Sequence, residues 1–293
     1  MTEDMGSTVP RRQLGRTLKQ LRTEAGVTLD GTADALECSR QKIWRIESGL
    51  GVVRGLDVKA MCALYDVRPD LVTALVGLAS QTKAKGWWHA YGDAIPEWFE
   101  LYVGLESAAS RLRFFYDAMV PGMLQTRDYA LAVYQHRLTM SEEERDRLVD
   151  VRLQRQSLLN RRLPSPPKVE LIIHEAALLR IVGSRETMAA QLRHLLRVGA
   201  RPNVSVRVLP LTVGLHYGAV AGTFVMLNFP LGNRNTSEPP VIYCESLTGA
   251  LYLDRPSELA AYEAVWSGLN TLALDEGQSM HMIEKIAAEV HHG

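Results

Sequence analysis

Residues 28–49, TLDGTADALECSRQKIWRIESG, leave this chain few local structures to choose from. Leu29, Ala33 and Leu36 recur at three- and four-residue intervals, and Ile43 and Ile46 resume the apolar stripe after Glu37-Cys38. That spacing predicts two short helices joined by a tight turn around one small core. Ser39 is placed to open the second helix, residues 39–47, as an N-cap, which sets Arg40, Gln41, Trp44 and Arg45 on the face opposite Ile43 and Ile46. A helix fits the major groove of B-form DNA, where Arg reads guanine N7 and O6, Gln reads adenine N6 and N7, and an aromatic ring packs on a thymine methyl. Double-stranded DNA is therefore the expected partner.

The flanking segments supply the rest of a helical bundle. Residues 11–25 offer Leu14, Leu18 and Leu21 to the same core, turn Arg16, Lys19 and Arg22 elsewhere, and stop at Gly26. After the Ser48-Gly49-Leu50-Gly51 loop and Arg54, residues 57–66 bring Val58, Met61, Cys62 and Tyr65 into register, and residues 69–79 read as a fifth helix. The competing reading is a purely structural bundle with Arg40, Lys42 and Arg45 as a solvated basic face. The agreement of cap, period, turn and cationic run favours the groove-reading alternative.

With 293 residues, 46% of them hydrophobic, the chain is long enough for two cores. A formal net charge of zero gives it no global attraction to polyanions, so DNA affinity must come from a local patch. One module touching few phosphates binds weakly at cellular salt, and a homodimer is expected. Cys38, Cys62 and Cys244 form no CxxC pair and have no His at ligand spacing, so they read as buried thiols of a reducing cytoplasm, with no metal or other cofactor implied. A polar N-terminus and charge-interrupted apolar runs predict neither a signal peptide nor a membrane association.

The connector Gln81-Thr82-Lys83-Ala84-Lys85-Gly86 precedes an aromatic cluster, Trp87-Trp88-His89-Ala90-Tyr91-Gly92-Asp93, and separates a helical domain, 10–80, from a second domain, 81–293. Residues 97–105, 127–136 and 141–160 look helical, the last opened by the capping box Ser141-Glu142-Glu143-Glu144. Beyond the Pro164-Ser165-Pro166-Pro167 break, residues 169–173, 204–209, 223–228, 241–243 and 250–253 read as five strands of one sheet. Helices at 185–198, 257–272 and 275–290 complete an expectation of a mainly α helix-turn-helix bundle followed by an α+β domain.

Ser39-Arg40-Gln41-Lys42-Ile43 and Arg45-Ile46-Glu47-Ser48-Gly49 resemble the xenobiotic-response-element, or Cro and repressor-like, helix-turn-helix family over about the first quarter of the chain. The resemblance implies phosphate and base contacts for Ser39, Arg40, Gln41, Trp44 and Arg45, and phosphate contacts for Lys42 and Arg54. Gly31 departs from the pattern where a capping-box Glu is expected after Thr28, at a cost in helix stability. Trp44 fills a position more often small or polar, which narrows the expected base preference.

A second set of short matches includes Gly86-Trp87-Trp88, Trp98-Phe99, Val120-Pro121-Gly122-Met123-Leu124-Gln125-Thr126, Glu175-Ala176-Ala177-Leu178 and Gly249-Ala250-Leu251-Tyr252-Leu253-Asp254. They resemble the large domain of actinobacterial antitoxin-like regulators of the WhiJ type. This implies a transcriptional regulator, often encoded beside a small partner protein.

Catalysis is not expected. His89 with Asp93, His174 with Glu175 and His216 with Tyr217 are the candidate acid and base pairs, but HExxH, GxSxG, GxxxxGK[ST] and a post-strand GxGxxG are all missing from the sequence. Trp87, Trp88, His89, Tyr91, Gln125 and His216 are the candidate ligand contacts. Pro121 to Gln125 and the Gly214 to Gly218 turn are expected to form mobile, partly apolar pocket walls. Two functions compete: a dimeric regulator whose second domain receives a small-molecule or small-protein signal, and an antitoxin-like interaction module that pairs with a small protein and regulates only its own promoter.

Overall fold

The computed structural model describes residues 8–50, 53–81, 97–135, 140–230, 238–247 and 249–289. The chain forms two compact units, Met1–Ala108 and Ala109–Gly293. The N-terminal unit contains α1 (Thr8–Glu24), α2 (Leu29–Ala35), α3 (Arg40–Glu47), α4 (Gly55–Leu64), α5 (Pro69–Gln81) and α6 (Glu97–Ala108). Leu14 and Leu18 of α1, Ala33 of α2, Ile43 and Ile46 of α3, and Val58, Met61 and Cys62 of α4 meet in one buried core, as their spacing predicts. Helix α6 packs on α1 and so falls in the first unit, whereas the sequence places 97–105 in the second. The 80/81 boundary itself adjoins residues 82–96, which lie outside the described residues.

Helices α1 to α4 all end in the same way. In each, the amide two residues past the C-cap reaches back five residues, as from Val27 to the Arg22 carbonyl at 3.1 Å and from Cys38 to the Ala33 carbonyl at 2.9 Å. This ending needs a left-handed residue just after the C-cap. Gly26 and Gly49 supply it freely at φ 69° and 71°, but Glu37 and Asp66 adopt φ 49° and 52° despite carrying a Cβ. Glu37 sits in the turn of the helix-turn-helix. Glu37→Gly should therefore stabilise the unit by about 0.5 to 1 kcal/mol in chemical denaturation, and a loss of stability would mean the Glu37 side chain contributes more than its backbone strain costs.

The C-terminal unit is built on a six-stranded sheet. Its strands are β1 (Arg111–Tyr116), β2 (Lys168–His174), β3 (Val204–Leu209), β4 (Phe224–Asn228), β5 (Val241–Ser246) and β6 (Gly249–Leu253), in the spatial order β3-β2-β1-β4-β5-β6. The pairs β1/β2 and β2/β3 are parallel and the remaining pairs antiparallel. Parallel neighbours need crossovers. Helices α7 (Arg127–Gln135) and α8 (Glu142–Arg155) lie between β1 and β2, and α9 (Glu175–Leu179) and α10 (Arg185–Gly199) between β2 and β3. A short α11 (Tyr217–Ala221) precedes β4, and α12 (Pro256–Leu272) and α13 (Glu276–Glu289) close the chain. The architecture is the expected helical bundle plus α+β domain, with one strand more than the sequence predicts.

The missed strand, β1, lies in the interior of the sheet. Arg111 and Arg113 interrupt its apolar run, and in a strand Arg113 and Phe115 share a face. On that face Arg113, only 4% exposed, donates to both carboxylate oxygens of Glu263 at 2.5 and 2.6 Å and lies over the Trp266 ring. The Arg113 guanidinium holds the Glu263 carboxyl below its ordinary pKa. Phe115, Ile172, Phe224, Met226 and Ile242 continue the face and pack with Trp266 and Leu269 of α12. Among the cysteines Cys62 is buried, while Cys38 and Cys244 are only partly so, which corrects the expectation that all three are buried.

Candidate nucleic-acid interface

Helix α3 is held in place from its buried side. Ile43 is fully buried and Ile46 4% exposed, and the Ser39 hydroxyl accepts from the Lys42 amide at 3.2 Å, which is the predicted N-cap. The preceding helix, α2, is opened by Thr28, whose hydroxyl accepts from the Gly31 amide at 2.9 Å, so α2 is capped without the Glu of a capping box. Tyr65, the C-cap of α4, and Thr32 of α2 share a buried hydroxyl hydrogen bond at 3.1 Å, and burial raises the Tyr65 pKa.

Two features that anchor α3 to α1 are not legible from periodicity. A Cβ on Gly15 would meet the Ile46 carbonyl oxygen well inside contact distance and the Glu47 carbonyl oxygen at 2.8 Å, so only glycine lets α1 lie this close to the end of α3. A lone glycine inside a helical pattern is the signal that could have found it. Arg22 and Glu47 form a forked ion pair, Nε to Oε1 at 2.6 Å and Nη2 to Oε2 at 3.0 Å, while Arg22 Nη1 donates to the Val27 carbonyl at 2.8 Å. The hydrogen bonds to Glu47 raise the Arg22 pKa. Arg22 thus turns toward α3, and no local pattern links residues 25 positions apart.

The outer face carries the predicted readers. Ser39, Arg40, Gln41, Lys42 and Arg54 are exposed, Trp44 is 50% exposed and Arg45 is half-buried. The cations have acidic neighbours. Arg40 Nε lies 3.4 Å from Asp30 of α2, and Lys42 Nζ lies 2.9 Å from Oδ1 of Asp57 of α4. The other Asp57 oxygen accepts from the Arg54 amide at 3.3 Å. With Ile43 and Ile46 inward, the arrangement presents one polar, cationic helix face to solvent.

Of the candidate ligand contacts, Gln125 and His216 are among the described residues. Trp87, Trp88, His89 and Tyr91 lie outside the described residues, as does the His89 and Asp93 pair. Gln125 is 1% exposed; its amide nitrogen donates to the Val120 carbonyl at 2.7 Å, its amide oxygen accepts from Arg152, and its carbonyl accepts from Gln156 at 2.6 Å. The buried Gln191 bonds the Thr126 amide and the Leu124 carbonyl of the same turn. Pro121 to Gln125 is therefore a fastened, largely buried turn, in place of the mobile wall that its composition suggests.

His216 has a separate set of neighbours. It is 8% exposed, with its ring edge-on to Phe115 at 6.0 Å and 5.6 Å from the His174 ring. Burial, with His174 adding to it, lowers the His216 pKa against the opposing pull of Asp117. Neither predicted acid-base pair in this region is joined. His174 Nδ1 accepts the Ala176 amide as the N-cap of α9, Glu175 accepts the Leu211 amide at 2.7 Å, and Tyr217 points to solvent at 77% exposure. Among the described residues no group of three or more His, Cys, Asp or Glu could hold a metal ion, and no helix is long and apolar enough to cross a membrane.

A seated, N-capped second helix with a cationic outer face is the reading element of a helix-turn-helix, and residues 13–75 match the family model described as a helix-turn-helix domain. The chain is a DNA-binding regulator of the helix-turn-helix class. Residues 99–285, more than half of the chain, match the family described as a domain of unknown function, DUF5753, and the chain belongs to that family. No curated protein matches it.

Proposed function

We propose that this chain is a sequence-specific transcriptional regulator of the cytoplasm that reads the major groove with α3 as a homodimer, the C-terminal unit receiving a signal without catalysing a reaction. The observation that carries the reading is the division of α3 into an inward Ile43 and Ile46 and an outward Arg40, Gln41 and Trp44. Arg40 and Gln41 can each span two groups of one base edge, and Ser39, Lys42 and Arg54 would touch the backbone. Two copies on half-sites about 34 Å apart would give the affinity that one module lacks.

In vitro selection of bound duplexes, followed by footprinting, supplies the operator. On it, Arg40→Ala and Gln41→Ala should each cost about 1 to 3 kcal/mol and relax the preference at one base position. Equal losses on every sequence would mean that α3 contacts only the backbone.

The antitoxin-like reading draws support from the loop around α11, where Leu215, Tyr217 and Val220 are all more than three-quarters exposed and offer an apolar contact to a small protein. Genome-wide mapping of bound sites separates the two readings. Sites confined to the protein's own promoter favour the antitoxin type, and sites spread over other operons favour the regulator.

A further inference from the structure

Lys42 is the cation at the third position of the reading helix, and its ammonium is already engaged. Its partner, Asp57, is 20% exposed at the side chain and is fixed by two interactions, one oxygen on Lys42 Nζ at 2.9 Å and the other on the Arg54 amide at 3.3 Å. The carboxylate does not depend on Lys42 for its place, because it caps the first turn of α4, where a negative charge is also favoured by the helix dipole. Lys42 must therefore either leave Asp57 to reach a phosphate or bring the phosphate close to a carboxylate that cannot swing away. Both routes weaken phosphate contact, and phosphate contact carries no base information.

Resting on the DNA-binding reading above, we propose that Asp57 is a brake on sequence-independent DNA affinity, acting through Lys42, whose ammonium it holds. Asp30 provides a built-in comparison. Its pair with Arg40 is longer, at 3.4 Å, and both side chains are about two-thirds exposed, at 64% and 68%. An ion pair so open to water contributes little, and Asp30 can rotate away. The two acids carry the same charge, so they differ in geometry and not in their effect on net charge.

The experiment uses the full chain and a labelled mixed-sequence duplex, with binding followed by fluorescence anisotropy over a series of salt concentrations. Asp57→Asn keeps an oxygen for the Arg54 amide and removes the charge. It is expected to bind the duplex about three- to tenfold more tightly at low salt and to steepen the slope of log affinity against log salt by up to about 0.9, the value for one additional phosphate contact. Asp30→Asn should change affinity by less than about twofold. Lys42→Gln should abolish the gain: the Asp57→Asn/Lys42→Gln double variant should bind no more tightly than Lys42→Gln alone. If Asp57→Asn lowers the melting temperature, Asp57→Ser supplies the same neutralisation with another acceptor.

An Asp57→Asn protein that binds no more tightly than Asp30→Asn overturns the proposal, and so does a gain that survives Lys42→Gln. In both cases wild-type binding to duplex leaves the DNA-binding reading standing. Failure of the wild-type protein to bind any duplex at low salt would overturn both.

Discussion

Ile43→Asp is expected to unfold the α1–α5 bundle, abolish DNA binding and leave the sheet of the C-terminal unit folded. Ile43 is fully buried and packs in a core made by Leu14, Leu18, Ala33, Val58 and Met61 from three other helices. Replacing it removes about 2 to 5 kcal/mol of packing and burial, by analogy with large-to-small core substitutions. The new carboxylate would be enclosed by aliphatic side chains, so it must ionise at a large desolvation cost or bind a proton and remain an unpaired polar group, adding about 1 to 3 kcal/mol or more. A small domain has roughly 5 to 15 kcal/mol of total stability, so the sum is comparable to all of it. Hydrogen exchange resolved by segment provides the check. Amides of α1 to α5 should lose protection, while those of β1 to β4 keep theirs. Protected α3 amides in the variant, together with intact binding to the operator, would show that Ile43 does not seat the reading helix.

The sequence makes the N-terminal unit easier to read than the C-terminal one, for a physical reason. In α1 to α5 the stabilising contacts are made by apolar residues three and four apart, so the pattern that folds each helix also reveals which face is buried. The Ser39 cap is likewise a local event, joining two residues three apart. In the C-terminal unit, β1 is stabilised by Arg113 reaching Glu263, 150 residues further along, and a buried arginine reads from the sequence as a break in an apolar run. Gln125 and His216 show the opposite difficulty. Each is a polar residue in a turn that contains Gly, which suggests a ligand contact, yet Gln125 fastens its own turn and His216 packs on Phe115. Gly15 and the Arg22–Glu47 pair are not legible in the sequence because what they serve is the approach of two helices, a property that neither helix carries alone.

That pair is the basis of the second large effect. Glu47→Ala should destabilise the N-terminal unit by about 3 to 5 kcal/mol, because breaking a buried pair leaves an uncompensated charge. The Arg22 side chain is 12% exposed and that of Glu47 4%, so most of the guanidinium left behind would be shielded from water. Arg22 would keep its bond to the Val27 carbonyl but lose both hydrogen bonds of the fork. Glu47→Gln keeps one acceptor and should cost less. The informative comparison is the double variant Arg22→Met/Glu47→Leu, which removes both charges and fills similar volume. Such replacements are often neutral or stabilising by about 1 to 4 kcal/mol, so the double variant should recover most of what Glu47→Ala loses. Urea denaturation of the three proteins measures this. If the double variant is as unstable as Glu47→Ala, the loss does not come from a stranded charge, and packing between α1 and α3 depends on the carboxylate itself. If it recovers stability but not operator affinity, the ion pair serves to set the angle at which α3 leaves the core, and with it the reach of Arg40 and Gln41 into the groove.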